Sequence, residues 1–153
     1  MIDYSLEHIF TFSATLINPP EVIGPVPEGL RVNFYVSDGE VTGPSIQGKI
    51  RPVGGDWITL RRDGVALLDV RATLETSDGA LILMTYPGVI DLGPEGHDRF
   101  MRGDLPGVAQ IRTSPRLSTS HPDYAWLNRL HCLGIGEFDS ARNVATYDVY
   151  AVR

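Results

Sequence analysis

Cysteine, basic charge and long apolar runs are all scarce in this 153-residue chain. Its one cysteine, Cys132, has no partner for an internal disulfide, so no oxidising compartment is implied. Thirteen Lys and Arg against nineteen Asp and Glu give a net charge of −6, which disfavours nucleic acid and anionic membranes as partners. No apolar run reaches the roughly 18 residues that cross a bilayer, and no signal peptide is visible at the N-terminus. We therefore expect a soluble, cytoplasmic protein.

The motifs of common cofactor and metal sites are missing as well. Gly54-Gly55 is not followed by the Gly-Lys-Ser/Thr of a phosphate-binding loop. The four histidines are far apart in the sequence, whereas zinc sites usually place ligands in close pairs. Cys132 lies within a predicted strand and is interpreted as a small buried hydrophobe, not a thiolate nucleophile. We predict neither a cofactor nor a metal.

Alternation of apolar and polar residues with a period of two dominates the chain and predicts β-strands. Three Gly-containing clusters, at 37–40, 62–64 and 77–79, are typical of tight turns between them. Two segments favour helix, Pro94–Gly103 and Pro122–Asn128. The predicted strands are Leu6–Ile17, Leu30–Val36, Thr42–Ile50, Asp56–Arg61, Val65–Glu75, Ala80–Tyr86, Gln110–Ser118, Leu130–Phe138 and Val144–Val152.

Nine or ten short strands in one chain must protect their sheet edges, and a closed barrel or a two-sheet sandwich does so. Strand ends interrupted by glycine favour the barrel. We therefore predict an all-β fold in which residues 1–153 form a single antiparallel β-barrel domain with one or two short helical turns.

The first candidate site lies on the predicted strand Val65–Glu75. Alternation puts Asp69 and Arg71 on one face, opposite the apolar Leu68 and Val70. If both faces were covered, the two charges would have to pair, because burying one alone is prohibitive. They would then be a candidate acid/base and an anion-stabilising donor. The alternative is that this face is simply solvated.

A second group of candidate residues would bind substrate. Arg112 lies on the polar face of its strand, and Asn128 offers both a hydrogen-bond donor and an acceptor. Trp126 either lines the mouth of a pocket or plugs one end of the barrel. The remaining candidates are Asp56 and Trp57, which follow Gly54-Gly55, and Tyr147 in the last strand.

Eight segments, taken in order, resemble a family of small bacterial and fungal β-barrel proteins known as domain of unknown function 3237. The resemblance runs from about Leu6 to the C-terminus and rests on the ordered set, with small departures at Val53 and Val70. It implies a single closed barrel with a lipocalin-like appearance and an association of chains, but no established activity. The matching segments are Gly43-Pro44 with Gly48, Pro52–Trp57, Arg62–Gly64, Leu68–Leu74, Thr76–Ile82, Arg112–Leu117, Tyr124–Asn128 and Tyr147–Tyr150.

Two functions remain open on this basis. The first is a cofactor-independent enzyme acting on a small, partly apolar organic substrate in the barrel lumen by isomerisation, hydration or dehydration, cyclisation or hydrolysis. The second is a non-catalytic binding protein for a small hydrophobic or aromatic acid, in which Arg71 and Arg112 hold the ligand carboxylate. In a third interpretation, the polar face is a structural network or a contact in a homo-oligomer.

Overall fold

The structure, a computed structural model, describes all 153 residues and contains ten β-strands. One short α-helix and one 3₁₀ helix interrupt the strands, and neither is long and apolar enough to cross a membrane. The strands are β1 (Leu6–Leu16), β2 (Glu21–Val26), β3 (Gly29–Thr42), β4 (Gly48–Leu60), β5 (Val65–Thr76), β6 (Leu81–Asp91), β7 (Val108–Thr113), β8 (Arg116–Ser118), β9 (Cys132–Asp139) and β10 (Val144–Val152). The helices are α1 (Gly96–Met101) and the 3₁₀ helix (Pro122–Arg129).

Eight of these strands close into an antiparallel barrel, which confirms the predicted fold. They follow one another in the order β1, β10, β9, β7, β6, β5, β4, β3, and β3 pairs with β1 to complete the ring. The two remaining strands lie outside the ring, β2 paired with β3 and β8 paired with β6. Closure pairs the strand edges that an open sheet would leave exposed.

The turns at 62–64 and 77–79 form as predicted, but the turn predicted at Ser37–Glu40 is wrong. β3 continues through this segment and still pairs with β4 at Glu40 and Val41. Its other edge changes partner, from β2 at 29–33 to β1 between Val36 and Thr42. A side chain at Gly39 would collide with the backbone of Ser13, so glycine here permits a close crossing of two strands and not a reversal. The strand predicted at Thr42–Ile50 is consequently wrong over 43–47, which connect β3 to β4.

Two further departures involve proline. β2 was not predicted. It contains Pro25 and pairs on one side only, where proline is tolerated. The predicted strand Gln110–Ser118 is divided at Ser114-Pro115 into β7 and β8. Both β7 and β8 pair with β6, at different positions along it.

The hydrophobic core fills the inside of the barrel, and the two ends are closed differently. At the end near the β5–β6 turn, the 3₁₀ helix inserts the fully buried Leu127 and packs the half-buried Trp126 against the core. At the other end, near the β4–β5 turn, α1 contributes Phe100, which is only partly buried. The space that remains inside the barrel lies toward this second end.

Candidate functional site

The α1 end of the barrel encloses a cavity with about 90 Å³ of space for the centres of water molecules. This is several times the roughly 10–15 Å³ that a cavity needs to hold one water, so the cavity has room for several waters or for a small organic molecule. Sixteen of its nineteen lining residues are hydrophobic, and the other three are Asp56, Pro106 and Ser140. A carboxyl group in such an apolar wall is unusual and marks the cavity as a candidate site.

Asp56 is positioned by the Gly54-Gly55 pair that precedes it in β4. Gly54 has a φ of +81°, a conformation that favours glycine, and a side chain there would collide with the carbonyl of Arg71. A side chain at Gly55 would collide with the carbonyl of Phe34 on the opposite side. The two glycines therefore hold β4 tightly between β3 and β5 where the carboxyl side chain turns inward.

Burial raises the pKa of Asp56 to about 7. The backbone N–H of Asp69 donates a hydrogen bond to Asp56 Oδ1 at 2.9 Å, which opposes the shift, and the charge of Asp69 adds to it. Removal of the carboxylate from water outweighs the hydrogen bond. Near neutral pH, Asp56 is consequently present in both protonation states and can accept or donate a proton.

Two tyrosines lie beside Asp56 inside the barrel. Tyr86 on β6 and Tyr147 on β10 are 5% and 4% exposed, and their ring centroids are 5.7 Å apart. Phe12 stacks on Tyr147 with a centroid distance of 4.7 Å and fixes the plane of that ring. Burial raises the pKa of both phenols, and both remain protonated. A hydrogen bond between the two phenols raises the pKa of Tyr86 further and lowers that of Tyr147, and the charge of Asp56 raises both.

A second, smaller cavity of about 40 Å³ lies deeper in the lumen and is also lined by Asp56 and Tyr147, together with Tyr86. Asp56 and Tyr147 thus stand where the two cavities meet. The Asp56 carboxyl group, which titrates near neutrality, can transfer a proton, and the neutral phenols of Tyr86 and Tyr147 can stabilise an oxyanion beside it.

The inward placement expected for Asp69, Arg71 and Trp57 is wrong. Asp69 and Arg71 point outward with side chains 60% and 56% exposed, and Arg71 Nη1 lies 3.0 Å from Asp69 Oδ1. The Arg71 guanidinium also lies over the ring of Trp57, 5.6 Å from its centroid. A closed barrel covers only one face of each strand, and the apolar Leu68 and Val70 occupy the inner face of β5.

The other three predicted binding residues also lie away from the lumen. Arg112 is exposed, and its Nη1 donates to the carbonyl of Ile111 at 2.7 Å. Asn128 is exposed and stabilises the loop at Thr119, because its side-chain amide accepts a hydrogen bond from the N–H of Thr119 and donates one to the Thr119 carbonyl. Trp126 caps the end of the barrel opposite the larger cavity. Of the eight predicted residues, the structure brings together only Asp56 and Tyr147 in the lumen.

Tyr86 was missed, although the sequence contains a signal for it. It continues the alternation of Ile82 and Met84, both fully buried, and so falls on the inner face of β6. The same rule applied to Leu60 and Ile58 places Asp56 on the inner face of β4. No group of three or more His, Cys, Asp or Glu side chains lies close enough together to hold a metal ion.

The fold and the lumen define a class of protein, a small closed β-barrel with an apolar interior cavity. The chain belongs to the family described as "Protein of unknown function (DUF3237)", whose model matches residues 4–152. The UPF0311 protein RPA1785 of Rhodopseudomonas palustris is 32% identical over 149 residues, 95% of each chain.

Solved structures show the same barrel. A "beta-barrel like protein" from Acinetobacter baumannii superimposes with a TM-score of 0.83 at 28% identity, covering 100% of this chain and 98% of that one. A protein described as an enzyme, from Penicillium herquei, has a TM-score of 0.67 at 20% identity, covering 100% of this chain and 97% of that one. At that identity the likeness to the Penicillium protein is one of fold alone.

Proposed function

We propose that this protein is an enzyme that needs no cofactor and performs acid–base chemistry on a small, partly apolar organic molecule in the barrel lumen. The observation that carries the proposal is Asp56, a carboxyl group with a pKa of about 7 in an apolar cavity beside the phenols of Tyr86 and Tyr147. A half-buried carboxyl in an apolar wall without a cationic partner lowers stability, and catalytic sites are where such groups concentrate.

In this function the ionised Asp56 accepts a proton from a C–H or O–H group of the substrate. Tyr147 donates a hydrogen bond to the substrate oxygen on which charge develops, and Tyr86, hydrogen-bonded to Tyr147, supports that donor. Protonated Asp56 then returns the proton to a different atom, so the carboxyl group ends the cycle unchanged. Isomerisation and cyclisation need only these steps, whereas hydration also consumes one water and dehydration releases one.

A screen for turnover tests the proposal. Small ketones, enols and aromatic alcohols would be incubated with the wild-type protein at pH 6 and pH 8, and their consumption followed by NMR. We expect Asp56→Asn to slow turnover by about 10²- to 10⁴-fold. Asp69→Asn, which changes an exposed carboxylate close to Asp56 in the fold, should retain most of the activity.

The pH profile gives the role of Asp56. If Asp56 acts as the base, the rate rises with pH through about 7, whereas it falls through the same range if Asp56 acts as the acid. Full turnover by Asp56→Asn would refute the enzyme proposal.

A non-catalytic binding protein is the second candidate, and the predominance of hydrophobic residues in the cavity wall favours it. Under this function, compounds bind in the lumen but none is consumed. Asp56→Asn then changes affinity only modestly, because the lost group is one of many contacts.

A further inference from the structure

The lumen contains few ionisable side chains, and all of them are acids. Among all residues that line the two cavities, the ionisable side chains are Asp56, Tyr86 and Tyr147. The linings contain no lysine, arginine or histidine. The two arginines that the sequence analysis considered for an acidic ligand, Arg71 and Arg112, are exposed on the outside of the barrel.

The carboxyl group of Asp56 lies between two apolar cavities of unequal size. The larger cavity, about 90 Å³, extends to the α1 end and is walled by Phe34, Phe100 and Phe138. The smaller cavity, about 40 Å³, is kept open by short side chains such as Ala14 and Ala72. A molecule that reaches the carboxyl group therefore has its main body on one side of it and room for only a short substituent on the other.

We propose that the lumen binds an uncharged, largely aromatic or aliphatic molecule through one hydroxyl or carbonyl group, held by Asp56, Tyr86 and Tyr147. The main body of the molecule occupies the larger cavity. The proposal rests on the proposed function in taking Asp56 as the polar centre of the site, but it requires no turnover.

The bound molecule is expected to be neutral because the lumen contains a carboxyl group but no cation. A ligand carboxylate in the lumen would lie beside Asp56 without a cation to neutralise it, and burying such a charge is costly. A hydroxyl group can donate to the Asp56 carboxylate, and a carbonyl oxygen can accept from either phenol. The site therefore excludes the aromatic acids that the sequence analysis considered as ligands.

Three probes of nearly equal size test this selection: 2-naphthol, naphthalene and 2-naphthoate. Their dissociation constants would be measured with the full chain at pH 8 by isothermal titration calorimetry and ligand-observed NMR. We expect 2-naphthol to bind at least about tenfold more tightly than 2-naphthoate, because the carboxylate is not compensated. We also expect 2-naphthol to bind more tightly than naphthalene, and Asp56→Leu, which removes the acceptor of the hydroxyl proton, to remove most of that advantage.

Lumen-filling variants locate the binding. Ala145 is buried and lines both cavities, so Ala145→Leu should weaken 2-naphthol binding at least about tenfold. Ala66→Leu fills the larger cavity alone and serves if the first variant does not fold. Ala141→Leu makes the same change at an exposed position in the β9–β10 turn and should leave the affinity unchanged.

Each outcome bears on the proposal. Binding of 2-naphthoate as tightly as 2-naphthol, binding that survives both lumen-filling variants, or no binding of any probe would overturn it. Selective binding of 2-naphthol in the lumen, with no substrate found in the turnover screen, would support it while the proposed enzyme function fails. Turnover that depends on Asp56, together with tight 2-naphthoate binding, would overturn the neutral-ligand proposal alone.

Discussion

Asp56 and Asp69 lie on neighbouring strands and are joined by a hydrogen bond, yet the barrel wall separates their environments. Asp69 is 60% exposed and forms an ion pair with Arg71 in solvent. Asp56 faces the apolar lumen, where its carboxyl group accepts a hydrogen bond from one backbone N–H and shares a cavity with two neutral phenols. The comparison shows that the wall, and not the residue type, determines which carboxylate acquires unusual chemistry.

The energetic consequences of the two positions differ as well. An exposed ion pair such as Asp69–Arg71 contributes about 0–1 kcal/mol, because water solvates both charges when they separate. The Asp56 carboxylate has lost much of its hydration without gaining a cation. Ionised Asp56 therefore lowers the stability of the fold, which is expected where a group is retained for function.

The largest effect that separates the two carboxylates concerns the pH dependence of stability. The pKa of Asp56 is about 7 in the folded protein and close to 3.8 when unfolded, so the native state binds an extra proton between these values. Stability from this group is therefore fully present below about pH 4 and is lost as pH rises to about 7. We expect Asp56→Asn, relative to wild type, to gain about 2–3 kcal/mol in free energy of unfolding between pH 5 and pH 8.

Urea unfolding of both proteins at the two pH values measures this difference. Asp69→Asn is the matched control, because it retains Asp56 and the Asp69 charge is the smallest of the causes that act on the Asp56 pKa. Its free energy of unfolding relative to that of wild type should therefore change by less than about 0.5 kcal/mol between the same two pH values. If Asp56→Asn and wild type respond identically to pH, the carboxyl group of Asp56 does not have a raised pKa.

A smaller effect tests how the lumen wall holds Tyr147. Gly136 on β9 is directly opposite Tyr147 on β10, and a side chain there would overlap the tyrosine ring. We expect Gly136→Ala to lower the free energy of unfolding by about 1–3 kcal/mol, because the ring must move within a packed core. The same variant should weaken the binding of any lumen ligand whose polar group contacts Tyr147.

Gly107→Ala is the control for this substitution, because a methyl group there meets no atom within 4 Å. Its stability should be unchanged or raised by up to about 1 kcal/mol, since alanine restricts the unfolded chain. Equal destabilisation by both substitutions would show that contact with the ring is not the cause.

Much of the barrel could be predicted from the sequence because alternation and turn chemistry are local. The turns at 62–64 and 77–79 and the last strand, Val144–Val152, follow from these signals alone. The path of β3 could not be predicted, since Gly39 permits either a reversal or a close crossing. Which of the two occurs depends on the partner strand β1, more than twenty residues away in the chain.

The site was predicted less well, for a reason that also concerns the wall. Alternation correctly separated Asp69 and Arg71 from Leu68 and Val70, but it does not say whether the polar face is covered. Asp56 and Tyr147 were named, whereas Tyr86 was not. The raised pKa of Asp56 depends on strands that meet it only in the closed barrel, and no local pattern encodes their approach.

The smallest expected effect lies on the outer face. Arg71 pairs with Asp69 and lies over Trp57, but both contacts are exposed to solvent. In a double-mutant cycle of Asp69→Asn and Arg71→Gln, measured by urea unfolding, we expect a coupling energy below about 1 kcal/mol. Adding salt should reduce it further, because exposed charges are screened. A coupling well above 2 kcal/mol would mean that the outer pair is shielded from water, for example by a second chain, and the contrast between the two faces of the wall would no longer hold.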